Sequence, residues 1–169
     1  MSHANIVRYE SDHLVFFYDD RSAKLAEIRE FLASEKPDAI REAIRERAYV
    51  VLGGDGLFVE IAKDAHKDGV PILGVNFGTK GFLLHDREIF ENRQLRFDER
   101  EYPMLHADIR TEDGEFRGHA FNEVYLTRAG DASCIRLSIS QSGRSIERFV
   151  GDGLMVSTPA GSTGWSRSY

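Results

Sequence analysis

Short apolar runs alternate with amphipathic stretches along the first half of the chain. The apolar runs have the length of buried strands, and the stretches between them repeat apolar residues at spacings of three and four, the period of an amphipathic helix. Alternating strands and helices predict a parallel, doubly wound sheet of Rossmann-like type. The predicted strands are residues 13–18, 49–52 and 70–75, and the predicted helices are residues 22–34, 37–47 and 57–67.

The pattern changes after about residue 95, where short runs of alternating apolar and polar residues follow one another. Polar, glycine-containing turns over residues 112–115 and 141–144 separate these runs, as hairpin turns do. We therefore expect an α/β domain over residues 1–95 and an antiparallel, β-rich domain over residues 96–169. The predicted strands of the second domain are residues 106–110, 115–119, 123–127, 135–140 and 145–150.

Composition and charge narrow the class of protein. Of the 169 residues, 41% are hydrophobic and 11% aromatic, which is enough to bury a core and excludes a disordered or collagen-like chain. The net charge of −6 is spread along the chain, which argues against a nucleic-acid partner. A single cysteine, Cys134, allows no internal disulfide, and no apolar run approaches the length of a bilayer span. We expect a cytoplasmic protein with no membrane partner.

Metal-binding and hydrolase motifs are not apparent. The six histidines are scattered, with none four residues from another or beside a cysteine pair, so we predict no zinc site and assign no metal-ligating residue. A Ser/His/Asp hydrolase is excluded by the missing Gly-x-Ser-x-Gly elbow.

A Gly-Gly-Asp-Gly loop at residues 53–56 is the first candidate site. A strand that ends in glycines and opens a helix presents backbone N–H groups beside the positive end of the helix dipole, which suits phosphate oxygens. The loop matches neither the dinucleotide fingerprint nor the Walker loop, and an ordinary tight turn is the alternative. Asp55 would repel a bound anion unless it serves a metal or accepts a proton.

Two further segments carry chemistry in the predicted fold. Residues 76–83 leave the carboxyl end of a parallel strand, where ligands of α/β sheets gather, and Phe82 could line a slot for a base or belong to the core. Asn122 offers a donor and an acceptor, and Glu123 can accept from ribose hydroxyls. The alternative for that pair is a polar turn.

The last candidate segment, residues 157–166, combines hydroxyl side chains, glycines and Trp165. This composition is more typical of a nucleotide-contacting loop than of a flexible linker, which has no use for an indole ring. A tail with an incidental tryptophan is the alternative.

Taken in order, the four segments resemble the NAD kinase family, whose members depend on ATP or polyphosphate. The resemblance spans about residues 50–169. The residues that carry it are Gly53-Gly54-Asp55-Gly56, Gly74-Val75-Asn76 through Gly81-Phe82-Leu83, Phe121-Asn122-Glu123-Val124, and Asp152-Gly153-Leu154 through Ser157-Thr158-Pro159-Ala160-Gly161-Ser162-Thr163.

The resemblance implies phosphorylation of the 2′-hydroxyl of the adenosine ribose of NAD, which gives NADP. The cofactors implied are Mg²⁺, or another divalent cation, and ATP or polyphosphate as phosphoryl donor. Asp55 would be the general base, and Gly53, Gly54 and Gly56 would face the donor phosphates. A homodimer or homotetramer is also implied. The NAD-binding residues implied are Asp55, Gly56, Phe82, Asn122, Glu123, Asp152, Thr163, Gly164, Trp165, Ser166 and Ser168.

The chain also departs from the family. Leu57 replaces the threonine that usually follows the glycine loop, and Lys80 stands where an apolar residue is usual. The chain stops at Tyr169, whereas family members continue, so we expect the β-rich domain to be incomplete at its C-terminus. Two alternatives stay open: an NAD-binding protein without kinase activity, and a relative of the diacylglycerol and sphingosine kinases, which share the glycine loop.

Overall fold

A computed structural model of the chain describes residues 5–92, 94–130 and 134–163. The chain divides into two compact units, Met1–Glu101 (unit 1) and Tyr102–Tyr169 (unit 2). The sequence places the boundary a few residues earlier, between residues 95 and 96. None of the helices in the described ranges combines the length and the apolar character of a membrane-spanning segment.

Unit 1 is built on one four-stranded sheet with the strand order β1-β2-β3-β4. The first two strands form an antiparallel hairpin, and β2, β3 and β4 run parallel. The parallel strands and their connecting helices were predicted, so the α/β character of this half is confirmed. The elements are β1 Ile6–Ser11, β2 Leu14–Asp19, α1 Leu25–Ala33, α2 Lys36–Ala43, β3 Ala48–Gly53, α3 Asp55–Asp68 and β4 Ile72–Asn76, followed by a short 3₁₀ helix, Arg87–Glu91.

Helices cover both faces of this sheet. Alternate residues of β2 and β3, such as Phe16 and Val50, are fully buried and share a cluster with α1 and α2. The intervening residues point to the opposite face, where the hydroxyl of Tyr49 donates to Asp68 at the end of α3. Burying one large apolar side chain contributes about 1.5–3 kcal/mol, so these two layers hold the sheet in place.

Strand β1 was not predicted. Its sequence, Ile-Val-Arg-Tyr-Glu-Ser, mixes charged and apolar residues, and the strand lies partly exposed at the edge of the sheet. An edge strand packed on one side only has no continuous apolar run to reveal it. The tight turn to β2 passes through Asp12, whose φ of 55° lies in the left-handed region that aspartate tolerates.

Unit 2 is built from antiparallel strand pairs. Strand β5 pairs with β6, β8 with β9, and β7 with β10. This arrangement confirms the predicted antiparallel β-rich half, although β10 was not predicted because glycines and an aspartate precede it. The elements are β5 Leu105–Thr111, β6 Gly114–Ala120, β7 Glu123–Thr127, β8 Ile135–Gln141, β9 Arg144–Gly151 and β10 Gly153–Ser157, followed by a 3₁₀ turn, Gly161–Thr163.

Burial differs sharply between the two units. Among the described residues, every buried hydrophobic side chain except Phe121 belongs to unit 1. The strands of unit 2 instead expose large apolar side chains, among them Phe116 and Val150, which are 58% and 64% exposed. Unit 2 therefore depends on strand pairing more than on a buried core.

Candidate functional site

The glycine loop joins β3 directly to α3. Gly53 ends the strand, Gly54 is the N-cap residue in an extended conformation, and Asp55 opens the helix. A Cβ added at Gly54 or Gly56 would meet no atom within 4 Å, so packing does not demand glycine there. The missing side chains leave the first helical N–H groups uncovered, and such groups have no carbonyl of a preceding turn to pair with.

The segment after β4 lies against this loop. The N–H of Phe77 donates to the carbonyl of Gly53 at 2.8 Å. Asn76 is buried, and its Oδ1 accepts the N–H of Gly78 at 2.8 Å. A Cβ on Gly78 would be 3.8 Å from the Cα of Gly54, so the two segments run side by side. Both follow neighbouring parallel strands, which is why they meet at one edge of the sheet.

The carboxylate of Asp55 ties the two segments together. The N–H of Phe82 is 3.1 Å from Oδ1 and 3.0 Å from Oδ2, and the N–H of Leu83 donates to Oδ1 at 3.0 Å. Each carboxylate oxygen has two lone pairs. Both acceptor positions of Oδ1 are therefore used, whereas Oδ2 takes one donor and keeps a position for a ligand hydroxyl.

Two exposed side chains belong to the segment whose backbone binds this carboxylate. The ring of Phe82 is 82% exposed, which rules out the alternative that it is a core aromatic. The side chain of Lys80 is also exposed and forms no ion pair within the part of the chain that the structure describes. An exposed ring and a cation next to a phosphate-type loop are suited to a ligand with a base and an anionic group.

Leu57 covers Gly53 in the first turn of α3. A Cβ on Gly53 would lie 2.9 Å from Cδ2 of Leu57, so the leucine side chain occupies the space that a larger residue at 53 would need. An apolar side chain stands here in place of the family's hydroxyl, so this side chain supplies no hydrogen bond to the loop.

Asn122 and Glu123 present unpaired acceptors in unit 2. Oδ1 of Asn122 and Oε2 of Glu123 are buried, and neither has a hydrogen-bond partner among the described residues. A buried acceptor without a donor costs about 1–3 kcal/mol. Two such atoms on adjacent residues mark a place where a ligand with hydroxyl or amino donors would gain binding energy.

The Ser-Thr-Pro-Ala-Gly-Ser segment holds Asn122 in position. The N–H of Thr158 donates to the carbonyl of Asn122 at 2.8 Å. Its buried hydroxyl donates to the carbonyl of Phe121 at 2.7 Å and accepts the N–H of Gly161 at 3.0 Å. A Cβ on Gly161 would be 2.3 Å from the carbonyl oxygen of Asn122, so only glycine fits.

Thr158 is a residue whose role was not foreseen. The composition of the segment predicts that its hydroxyls contact a nucleotide. In the structure, the Thr158 hydroxyl instead bonds to the backbone of Phe121 and of Gly161. A Thr-x-x-Gly spacing, with the threonine directly before a turn, is a signal for such a side-chain turn.

Of the remaining predicted NAD contacts, the structure describes two. Asp152 is exposed, and Oδ1 is ion-paired with Nε of Arg128 at 3.0 Å at the end of the β7–β10 ladder. Thr163 ends the 3₁₀ turn. The predicted contacts Gly164, Trp165, Ser166 and Ser168 lie outside the described residues.

These observations define an α/β protein with an open glycine loop between a parallel strand and a helix. Comparison with known proteins then gives the family. The model of the ATP-NAD kinase N-terminal domain matches residues 17–88, and that of the ATP-NAD kinase C-terminal domain matches residues 121–169. Together the two models match more than half of the chain, and the chain belongs to the NAD kinase family.

Individual relatives agree with this family. The chain is 37% identical to an NAD kinase of Magnetococcus marinus over 155 residues, which are 87% of this chain and 50% of that protein. It is 37% identical to an NAD kinase of Lachnoclostridium phytofermentans over 128 residues, which are 70% of this chain and 45% of that protein. The chain thus spans about half the length of the curated relatives it matches.

Solved structures share the fold. Yeast NADH kinase complexed with NADH matches with a TM-score of 0.55 and 26% identity, over 72% of this chain and 38% of that one. An NAD kinase from Archaeoglobus fulgidus, in complex with ATP, matches with a TM-score of 0.60 and 23% identity, over 92% of this chain and 63% of that one. The predicted fold class is confirmed.

Proposed function

We propose that the complete gene product is an NAD kinase, which transfers a phosphoryl group to the 2′-hydroxyl of the adenosine ribose of NAD and forms NADP. The observation that carries this proposal is that two buried acceptors on successive residues, Asn122 Oδ1 and Glu123 Oε2, find no partner among the residues described, in a chain of the NAD kinase family. The chain covers about half of its relatives, so the proposal concerns the whole protein rather than this chain alone.

Recognition of NAD is assigned mainly to unit 2. The adenine amino group and the ribose hydroxyls of NAD are donors, and they match the two acceptors that have no partner within the described part of the chain. The solved NADH complex of the yeast relative supports a dinucleotide as the ligand. Asp152 and the predicted contacts at Thr163, Gly164, Trp165, Ser166 and Ser168 complete the proposed NAD site.

The chemical step is assigned to Asp55. As the 2′-oxygen attacks the terminal phosphorus of the donor, Oδ2 of Asp55 takes the hydroxyl proton, and the bond from that phosphorus to the bridging oxygen breaks. The leaving group is ADP when ATP is the donor. The N–H of Phe82 contacts both carboxylate oxygens and that of Leu83 contacts Oδ1, which leaves one lone pair of Oδ2 for this proton. A positioned general base typically contributes 10²–10⁴-fold to the rate.

Donor phosphates are assigned to the open end of α3, at Gly53, Gly54 and Gly56. Two of these glycines have no neighbour within reach of a Cβ, which leaves room for phosphate oxygens at the helix N-terminus. Lys80, exposed and unpaired within the described ranges, adds a positive charge to this part of the chain. The matched family models are those of ATP-NAD kinases, so ATP is the donor we test first, with polyphosphate second.

Mg²⁺ enters this proposal with the donor phosphates. The described residues contain no group of three His, Cys, Asp or Glu side chains arranged to hold a metal. We infer that the ion is carried on phosphate oxygens and water, as Mg²⁺ commonly is in nucleotide-dependent enzymes. When bound there, it neutralises charge on the transferring phosphoryl group. We assign it no protein ligand.

The test is NADP formation by the complete gene product, followed through an NADP-specific dehydrogenase, with ATP or polyphosphate as donor. We expect NADP with at least one donor. NAD binding by calorimetry without NADP formation would support a binding protein that lacks transfer. Phosphorylation of a lipid alcohol without NAD binding would support the lipid kinase alternative.

The predicted homodimer or homotetramer and the cytoplasmic location stay predictions. Sedimentation of the complete gene product tests the first, and cell fractionation tests the second.

A further inference from the structure

Two histidine side chains meet across the β5–β6 hairpin of unit 2 and have no part in the proposed NAD site. His106 and His119 are directly opposite in the antiparallel register, and their ring centroids are 4.7 Å apart. Nδ1 of His106 lies 3.0 Å from Nε2 of His119. Both side chains are exposed, so an ion from solvent can reach both nitrogens.

A carboxylate fixes the first of these rings. Nε2 of His106 is 3.3 Å from Oδ1 of Asp108, two residues further along the same face of β5. Arg117, opposite Asp108 in the register, places its Nε 3.2 Å from that same oxygen and holds the carboxylate in turn. Histidines that bind metals commonly donate their second ring N–H to a carboxylate, which orients the ring and raises its basicity.

The protonation pattern leaves one nitrogen ready to bind a metal. When Nε2 of His106 donates to Asp108, Nδ1 keeps its lone pair and accepts the Nε2–H of His119 in the metal-free state. Metal binding requires the other tautomer of His119: Nε2 releases its proton and Nδ1 takes one up, so the ring stays neutral and the two facing nitrogens both offer lone pairs. Two imidazole nitrogens on one tetrahedral Zn²⁺, each at its usual bond length, lie about 3.3 Å apart, so the rings must separate by a few tenths of an ångström and turn their lone pairs toward the ion.

We propose that His106 and His119 bind one divalent transition-metal ion of the class that prefers imidazole ligands, with Zn²⁺ as the reference ion. Among the described residues no third metal-ligating side chain joins them, and we assign the ion no further protein ligand. Imidazole suits Zn²⁺, Ni²⁺ and Cu²⁺, whereas Mg²⁺ prefers oxygen ligands. The site is therefore separate from the phosphate-borne Mg²⁺ of the proposed kinase reaction and does not depend on it.

The test is calorimetric titration of the chelator-treated chain with Zn²⁺ and, separately, with Mg²⁺. We expect one equivalent of Zn²⁺ to bind and no Mg²⁺ binding at these histidines. His106→Ala and His119→Gln should each weaken Zn²⁺ binding at least tenfold. Asp108→Asn should weaken it by about tenfold, because the loss of such a partner commonly costs 10–100-fold in metal affinity.

Controls separate this site from general surface binding. His66→Ala, an exposed position on α3, should leave Zn²⁺ affinity unchanged. The imidazole Cε1–H signals of His106 and His119 in NMR spectra should shift with Zn²⁺, and far-UV circular dichroism verifies the fold of each variant. Equal Zn²⁺ affinity in the wild type and both histidine variants, or Zn²⁺-insensitive signals from both rings, would overturn the proposal.

Discussion

The polar groups of the candidate site differ between the two units in how many hydrogen bonds they receive from the chain. In unit 1, the Asp55 carboxylate takes hydrogen bonds from the backbone of Phe82 and Leu83. In unit 2, Asn122 and Glu123 each keep a buried acceptor without a partner among the described residues. The chain itself therefore positions the proposed base, whereas the proposed recognition residues await donors from a ligand. Folding supplies hydrogen bonds to the first set of polar atoms, whereas ligand binding would supply them to the second.

The largest expected effect tests whether the satisfied carboxylate still has a chemical role. Asp55→Asn in the complete gene product should lower the rate of NADP formation at least about 100-fold, because an amide cannot take the hydroxyl proton. Oδ1 of asparagine can still accept the N–H of Leu83, so NAD affinity should change little. Steady-state NADP formation and calorimetric NAD binding measure the two properties. Undiminished turnover would remove Asp55 from the mechanism.

The second prediction disturbs the backbone that holds the unpaired acceptors. Gly161→Ala places a methyl group where the carbonyl of Asn122 stands and should lower the free energy of unfolding by about 1–3 kcal/mol. Urea unfolding measures this change. Gly118→Ala in β6 is the matched control, since a Cβ there meets no atom within 4 Å. Equal stability of the two variants would contradict the close approach of the two segments.

The third prediction is that one substitution leaves the free energy of unfolding level or raises it, and lowers the affinity for NAD. Asn122→Ala removes a buried acceptor for which residues 5–92, 94–130 and 134–163 supply no partner, so the free energy of unfolding should stay level or rise. NAD affinity of the complete gene product should fall about tenfold, which corresponds to one lost hydrogen bond of ordinary strength. Thermal unfolding and calorimetry are the measurements. A large loss of stability with unchanged NAD affinity would make Asn122 a structural residue.

The smallest effect concerns the hydrogen bond between the Tyr49 hydroxyl and the Asp68 carboxylate in unit 1. The hydrogen bond to Asp68, and secondarily burial, raises the pKa of Tyr49 above its ordinary value of 10.0. The neutral phenol is favoured in the folded chain, so this stabilisation is present below pH 10 and is lost as the pH rises through the raised pKa. Tyr49→Phe should cost about 1–2 kcal/mol at neutral pH.

Alkaline unfolding curves check this last prediction. Stability of the wild type should fall more steeply above about pH 10 than that of Tyr49→Phe, because the variant has no phenol to titrate at this position. Tyr9→Phe, at an exposed site in β1, is the control and should change stability little. Parallel curves for the wild type and Tyr49→Phe would argue against this contribution.

Much of the fold could be predicted because buried parallel strands carry a strong signal. Strands such as Ala48–Gly53 are apolar on both faces and end in glycines, so the apolar run and the glycines predict the same strand and the same end. Strand Ile6–Ser11 gave no such signal because it pairs at an edge and exposes charged side chains. Strand Gly153–Ser157 was missed because its glycine serves close backbone packing on Leu126 rather than a loop.

The candidate site could be predicted only as separate segments. The order of motifs pointed to Asp55 and Asn122, but the bonds from Asp55 to Phe82 and Leu83 join residues 27 and 28 positions apart, which no local pattern encodes. The proximity of His106 and His119 could not be predicted from the sequence for a related reason. Spacing rules for metal sites consider near neighbours, whereas His106 and His119 meet through the register of a hairpin.

The contact between Gly161 and Asn122 bears on how family signatures are interpreted. Because the glycine and the Thr158 hydroxyl are both required for the backbone to close on Asn122, selection for a folded unit 2 alone would retain them. A randomised library at positions 158–161, sorted only for resistance to proteolysis, should return Thr158 and Gly161. That part of the signature would persist in a descendant that had lost all catalytic power, so its presence indicates the fold, and the proposed base Asp55 is the residue whose loss would accompany a loss of activity.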